Sequence, residues 1–231
     1  MEKAIFFDTG PIISIVMSRM SWILPELKKK YGGKFYITPA VKRELVERPL
    51  NIKRFEFEAL QTLKLINDGI FEVYEKIPKQ KIVQLTSLAN NSFTINNKNV
   101  DIVQSGEMES VAAALDLGAE AVVVDERTTR LLVEGSTELE KMLSRKFQKE
   151  VVADHQKLTQ VFKLLDGLKI IRSVELVAVA YRMSLFDSYQ PPQKDGKEVL
   201  VDSVLWAMKF NGCAVSEDEI GDLKTVLLSG K

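Results

Sequence analysis

The sequence predicts an α/β protein built on a parallel or mostly parallel sheet. Short apolar, β-rich runs alternate with longer helix-like segments along the 231-residue chain, the order expected of strand–helix–strand units. Two of those runs, Ala4–Phe7 and Ala121–Val124, lack polar alternation, as strands buried on both faces require. Helix punctuation falls between the runs: Thr38-Pro39 reads as an N-cap and first-turn proline, and Gly118 and Gly212 suit helix C-termini. Ser216 and Glu219 have the spacing of a capping box.

Five strands follow in order: Ala4–Phe7, Phe35–Thr38, Ile70–Tyr74, Ala121–Val124 and Lys169–Ile171. Helices are expected at Pro11–Tyr31 (with a break near Pro25), Pro39–Val46, Lys53–Asn67, Lys79–Asn90 and Gly106–Leu117. Further helices are expected at Glu138–Leu165, Val174–Ser184, Val199–Phe210 and Glu217–Leu228. The stretch Asn90–Val100 reads as a polar loop, and Gln190–Lys197, with Pro191-Pro192 and Asp195-Gly196, as a second. No internal repeat or linker divides the chain, so residues 1–231 are expected to form one domain. Residues 131–168 read as a helical insertion and 198–231 as a C-terminal helical extension.

Composition excludes several chemistries. Hydrophobic residues make up 45% and charged residues 28%, ordinary for a globular protein. No apolar run approaches the ~20 residues of a membrane span, and a short strand stands where a signal peptide would have its apolar region; a cytoplasmic location with no membrane partner is expected. Cys213 is the only cysteine and His155 the only histidine. An internal disulfide, a cysteine-rich zinc site, an HExxH centre and a histidine-clustered nuclease are therefore excluded within one chain. Neither a G-x-S-x-G elbow nor a glycine-rich phosphate loop is present. Chemistry falls to Asp and Glu. With 32 basic and 32 acidic residues, any nucleic-acid surface has to be a local patch.

Asp8 and Asp125 each follow a strand, where open α/β sheets bind ligands. Taken singly, such an Asp is as well explained by a turn or helix cap. If the two strands are parallel neighbours, their carboxylates share one sheet edge. Like charges gathered there repel unless a cation neutralises them, and oxygen donors suit Mg²⁺ or Mn²⁺. Glu44 lies on the helix after the second strand, and Glu107 and Glu109 open the helix at Gly106. This order of Asp8-Thr9-Gly10, Glu44-Leu45, Gly106-Glu107-Met108-Glu109-Ser110-Val111-Ala112 and Val122-Val123-Val124-Asp125-Glu126-Arg127 resembles the PIN-domain family. The match spans about Ile5 to Arg130, and Lys169–Ser184 also fits it.

The resemblance implies a three-layer α/β/α fold with a central parallel sheet of about five strands. It also implies a metal-dependent nuclease, most characterised relatives being ribonucleases that leave 5′-phosphate and 3′-hydroxyl ends. Carried over residue by residue, the catalytic acids would be Asp8, Glu44, Glu109 and Asp125, with Asp8, Glu109 and Asp125 holding Mg²⁺ or Mn²⁺ and Thr9 accompanying the first acid. Residues two apart on a helix do not share a face. The family pattern favours Glu109 as the ligand and leaves Glu107 to serve the helix N-terminus. Glu126 reads as a solvated neighbour.

Arg127 and Arg130, just beyond Asp125, are placed to meet a phosphate near the acids, or are plain surface charge. Lys141, Arg145 and Lys149 are four apart in a stretch with four basic residues and no acid. On a helix they would form one stripe for successive phosphates, or simply a solvated face. The aromatics of Phe55-Glu56-Phe57 and Trp206 read as core rather than stacking platforms. RNA is the expected partner; a homodimer and an antitoxin or RNA-processing partner also follow from the resemblance. Two other readings stay open: a catalytically silent RNA-binding or assembly scaffold, and a haloacid-dehalogenase-type phosphatase, which normally wants a second acid where this chain has Gly10.

Overall fold

Alternation of side chains along buried strands builds two cores on one sheet. In the computed structural model, which describes residues 3–135 and 137–229, Ala4–Phe7 forms β1, buried at every position. Its Ile5 and Phe7 enter one core while Ala4 and Phe6 enter the other, the period-2 geometry of a strand covered on both faces. Lys34–Ile37 (β2), Glu72–Val73 (β3), Ala121–Val123 (β6) and Lys169–Ile171 (β8) complete a five-stranded sheet in the order β3-β2-β1-β6-β8. Every pairing in it is parallel. The expected strands are all present, each within two residues of its reading from sequence.

On the Ile5/Phe7 face lie α1 (Thr9–Met17), α2 (Ile23–Tyr31), α4 (Glu56–Asn67), α10 (Ser173–Arg182), α11 (Gly196–Phe210) and α12 (Glu217–Leu228). The Ala4/Phe6 face is covered by α5 (Lys79–Asn90), α6 (Ser105–Leu117), α7 (Arg127–Val133), α8 (Glu138–Phe147) and α9 (His155–Leu165). The result is a three-layer α/β/α arrangement. Segments 131–168 and 198–231 contribute buried leucines and valines to these same two cores, so each completes a face of the sheet; Ser136 and the two residues at either end lie outside the described residues. No described helix is long and apolar enough to cross a membrane.

Several expectations need correcting. The first long helix breaks at residues 18–22, where Arg19 turns to φ 58°. Pro25 instead sits in the first turn of α2, where its missing N–H costs nothing. The helix after β2 is α3 (Pro39–Lys42), capped by Thr38 and continuing into a wider π-helical turn at Arg43–Glu47. Residues 138–165 are two helices, because Gln148 adopts a left-handed cap at φ 52°. Between them Val152–Ala153 (β7) pairs antiparallel with Phe93–Ile95 (β4), which also forms a hairpin with Lys98–Asn99 (β5). The supposed loop at 90–100 is thus a hairpin: Asn96 and Asn97 both take positive φ, the turn geometry that asparagine tolerates. Phe55 and Phe57 are 37% and 67% exposed, so they are surface residues.

Arg172 ties the layers together just after β8. Its guanidinium reaches Glu175 Oε1 through Nε (2.8 Å) and Glu219 Oε1 through Nη1 (2.7 Å), linking the sheet edge to α10 and α12. Burial pushes the Glu219 carboxyl up, but the Ser216 N–H and the Arg172 guanidinium outweigh it and hold it at about 2. A depressed carboxyl stabilises the fold above its unfolded value of 4.5 and loses that contribution as pH falls through 2. Arg172→Gln is expected to lower the melting temperature at pH 7 by about 3–10 °C and to shrink that difference at pH 2–3. Thermal melts at the two pH values check this.

Candidate active site

The sheet order reverses between β1 and β6, and there the carboxyl ends of the strands hold the acids. Asp8 follows β1 directly, its N–H bonded to Val123 O at 3.0 Å, so its backbone extends the sheet while its side chain leaves the edge. Asp125 follows β6 by one residue. Gly10 lies between them: a Cβ there would stand 3.5 Å from Asp125 Cβ.

Asp125 is 2% exposed and fully engaged. Its Oδ2 accepts from Ser14 Oγ and Ser173 Oγ, each at 2.7 Å, and its Oδ1 accepts from Ser173 N at 2.8 Å. Ser14 comes from α1 and Ser173 opens α10 after β8, so one buried carboxylate joins three elements. The sequence offered a weak signal for Ser173, a polar residue at the end of a strand on this edge, and none for Ser14. Cys213 is also close: burial first, then the Asp125 charge, pushes its thiol up to about 12. It remains protonated in the metal-free protein.

Asp8 is half-buried and electrostatically unusual. Desolvation by burial drives its carboxyl up to about 7, aided by the charges of Glu44, Glu107 and Asp125 and opposed by the Thr9 N–H. Glu44 reaches in from the π-helical turn, where Thr9 Oγ1 donates to its Oε2 at 2.7 Å. Its Oε1 would be 3.7 Å from a Cβ on Gly106. Thr9 therefore orients the second acid beside the first.

Of the two glutamates on α6, Glu107 is the one whose charge acts on Asp8. Glu107 accepts from Gln104 N at 3.0 Å, completing a capping box. Its carboxyl is raised by desolvation, and by the Glu126 and Glu44 charges, against Gln104 N–H and Lys146. Glu109 accepts from Ala40 N at 3.0 Å, satisfying a free N–H of α3. The charges acting most strongly on Asp8 are those of Glu44, Glu107 and Asp125.

The basic residues divide. Arg127, Lys141 and Arg145 line one open groove of about 770 Å³, together with Glu126 and Lys146. The charges of two residues lining this groove, Glu126 and Lys146, act on Glu107. Lys146 was not singled out from sequence, because it lies off the i, i+4 stripe. Lys149 falls beyond the end of α8, so the stripe stops at Arg145. Arg130 is 13% exposed and faces Glu134 and Glu219 at 3.7 and 3.9 Å, committed to the ion network around Arg172. Glu126 caps α7, accepting from Thr129 N at 2.7 Å.

Among the described residues no group of three His, Cys, Asp or Glu side chains is drawn together as a ready metal cage; the acids are instead engaged in hydrogen bonds with Thr9, Gln104, Ala40, Ser14 and Ser173. Their character as donors is nonetheless uniform, carboxylate oxygen with no accessible thiol or imidazole beside it. Comparisons with known proteins add no relative: no family model, no curated protein and no solved structure matches this chain.

Proposed function

We propose that this chain is a divalent-metal-dependent nuclease that hydrolyses phosphodiester bonds in RNA. The observation that carries the proposal is the gathering of Asp8, Glu44, Glu107 and Asp125 at the point where the strand order reverses, with Asp8 pushed up to about 7. Acids kept this close to one another at a ligand-binding edge favour a cation. Mg²⁺ and Mn²⁺ fit the oxygen-only donor set, and they need few protein carboxylates because waters and substrate phosphates complete their shells. Asp8 and Asp125 would hold the ion, with Glu44 and Glu107 as further carboxylates beside it. When bound, it would polarise the scissile phosphate and activate water.

The chain's own residues supply the rest. Ser14 and Ser173 hold the Asp125 carboxylate in one orientation, and Thr9 does the same for Glu44. Arg127, Lys141, Arg145 and Lys146 offer positive charge along one groove, suited to successive phosphates. RNA as substrate, and a homodimer as working form, rest on the resemblance to the PIN-domain family.

The test is incubation of mixed single-stranded RNA with Mn²⁺, Mg²⁺ or EDTA. Metal-dependent cleavage supports the nuclease. RNA binding without cleavage under any metal would favour a scaffold instead, a reading supported by the structural hydrogen bonds that engage Glu44, Glu107, Glu109 and Asp125. Reversing charge in the groove, Lys141→Glu with Arg145→Glu, is expected to weaken RNA binding about tenfold or more and to reduce the slope of log affinity against log salt by about 2. Lys149→Glu is expected to change little.

A further inference from the structure

On the other side of the acids, α1 and α4 enclose a cavity of about 280 Å³ walled by Ile13, Met17, Pro49 and Phe55, with Glu44 and Glu58 among its lining. Its size is that of a base or nucleoside rather than a folded segment. Ile13 and Met17 lie one helical turn apart and are 42% and 40% exposed, an apolar stripe facing solvent directly beside the acidic edge. Phe55 presents an accessible ring to it. Glu44 belongs both to this cavity and to the acids around Asp8.

Glu58 is the unusual member. Its Oε2 is buried, turned out of reach of the cavity, and has no hydrogen-bond partner among the described residues. A buried acceptor left unpaired is costly, and a donor brought by a ligand would relieve it. The terminal torsion of glutamate is broad, so the carboxylate can turn either oxygen toward the cavity. An ionised carboxylate only accepts, at two adjacent atoms. Of the four bases, guanine alone carries two adjacent donors on its Watson–Crick edge, N1–H and the N2 amino group. Adenine and cytosine set an acceptor beside their amino donor, and uracil flanks its single N–H with two carbonyls.

We propose that this cavity is a guanine subsite: apolar walls and Phe55 hold the base face, and Glu58 reads its edge with two charge-assisted hydrogen bonds. This rests on the nuclease proposal and extends it to substrate choice. Glu44, which lines the cavity, also neighbours Thr9 and the acids, so a base seated here lies next to the proposed catalytic edge.

The experiment is an NMR titration of GMP, AMP, CMP and UMP into the full-length, metal-free protein carrying labelled Ile and Met methyl groups. GMP is expected to shift the Ile13 and Met17 methyls and to bind at least about fivefold tighter than the other three. Glu58→Gln is expected to erase the preference while melting like the parent. Phe55→Ala, at an exposed position, is expected to weaken all four mononucleotides alike. Equal affinities, shifts confined to other methyls, no binding in the millimolar range, or a preference that survives Glu58→Gln would each overturn the subsite. The outcome is separable from catalysis: RNA cleaved without guanine preference removes the subsite alone, and selective GMP binding in a protein that never cleaves RNA removes the nuclease alone.

Discussion

Asp8→Asn is expected to abolish metal-dependent RNA cleavage and, at the same time, to stabilise the metal-free protein. The Asp8 carboxyl, ordinarily at 3.8, stands at about 7 because burial and three neighbouring acids oppose its charge. A carboxyl raised in this way contributes its stability in full below 3.8 and loses it as pH rises through about 7. The parent protein therefore pays for an unwanted charge at pH 8 that asparagine does not carry. The full shift corresponds to about 4 kcal/mol; allowing for relaxation, a gain of about 2 kcal/mol at pH 8 is expected, or roughly 4–8 °C in melting temperature. At pH 5 most of that gain disappears. Mn²⁺ should raise the melting temperature of the parent and close the gap. Thermal melts at pH 5 and 8, with Mn²⁺ or EDTA, are the measurement. Full cleavage activity in Asp8→Asn would sink the proposed site, and a stability difference indifferent to pH and metal would sink its electrostatic basis.

At Asp125 the expected effects separate chemistry from folding. Removing the carboxylate in Asp125→Ala leaves Ser14 Oγ, Ser173 Oγ and Ser173 N without their shared acceptor in a buried site. Ser14 Oγ can turn to Gly10 O or Asn211 O, but the two Ser173 donors are left unpaired at about 1–3 kcal/mol each, so the melting temperature should fall by about 4–20 °C. Asparagine is different. Its carbonyl can keep the Ser173 N–H, and its amide can donate to two hydroxyls that rotate to accept. Asp125→Asn is thus expected to cost no more than about 1.5 kcal/mol, yet to lose cleavage as completely as alanine. Circular dichroism melts beside RNA cleavage assays distinguish the two. An alanine variant as stable as the asparagine one would show that the serine contacts do not hold the strand ends together.

The aromatic triad on β1 illustrates how directly some of the fold was written in the chain. Phe6 meets Tyr36 and Tyr74 at 5.3 and 5.2 Å on one face, and Phe7 meets Phe35 and Phe71 at 4.8 and 5.0 Å on the other. A run of four apolar residues without alternation has few homes other than a central parallel strand, because both of its faces must be covered. The same local logic placed Asp8 and Asp125 at strand ends and Ser216 opposite Glu219. Hairpin β4–β5 was not read from the sequence: its polar composition pointed to a loop, and β7, its other partner, lies more than fifty residues further along the chain.

By itself the sequence determined the strand set, the α/β class, the exclusion of disulfide, cysteine-rich zinc and clustered-histidine sites, and the acids available to build a site. Those follow from local rules of periodicity, capping and residue inventory that do not depend on distant contacts. Only the tertiary structure decided which acids meet. The family resemblance favours Glu109 over Glu107, yet in the fold the Glu107 charge acts on Asp8 while Glu109 is taken up by the Ala40 N–H at the start of α3. The roles of Ser14, Ser173 and Lys146, the diversion of Arg130 to Glu219, and the cavity between α1 and α4 depend likewise on how helices pack across the sheet. Packing is a sum over residues far apart in the chain, and no local pattern records it.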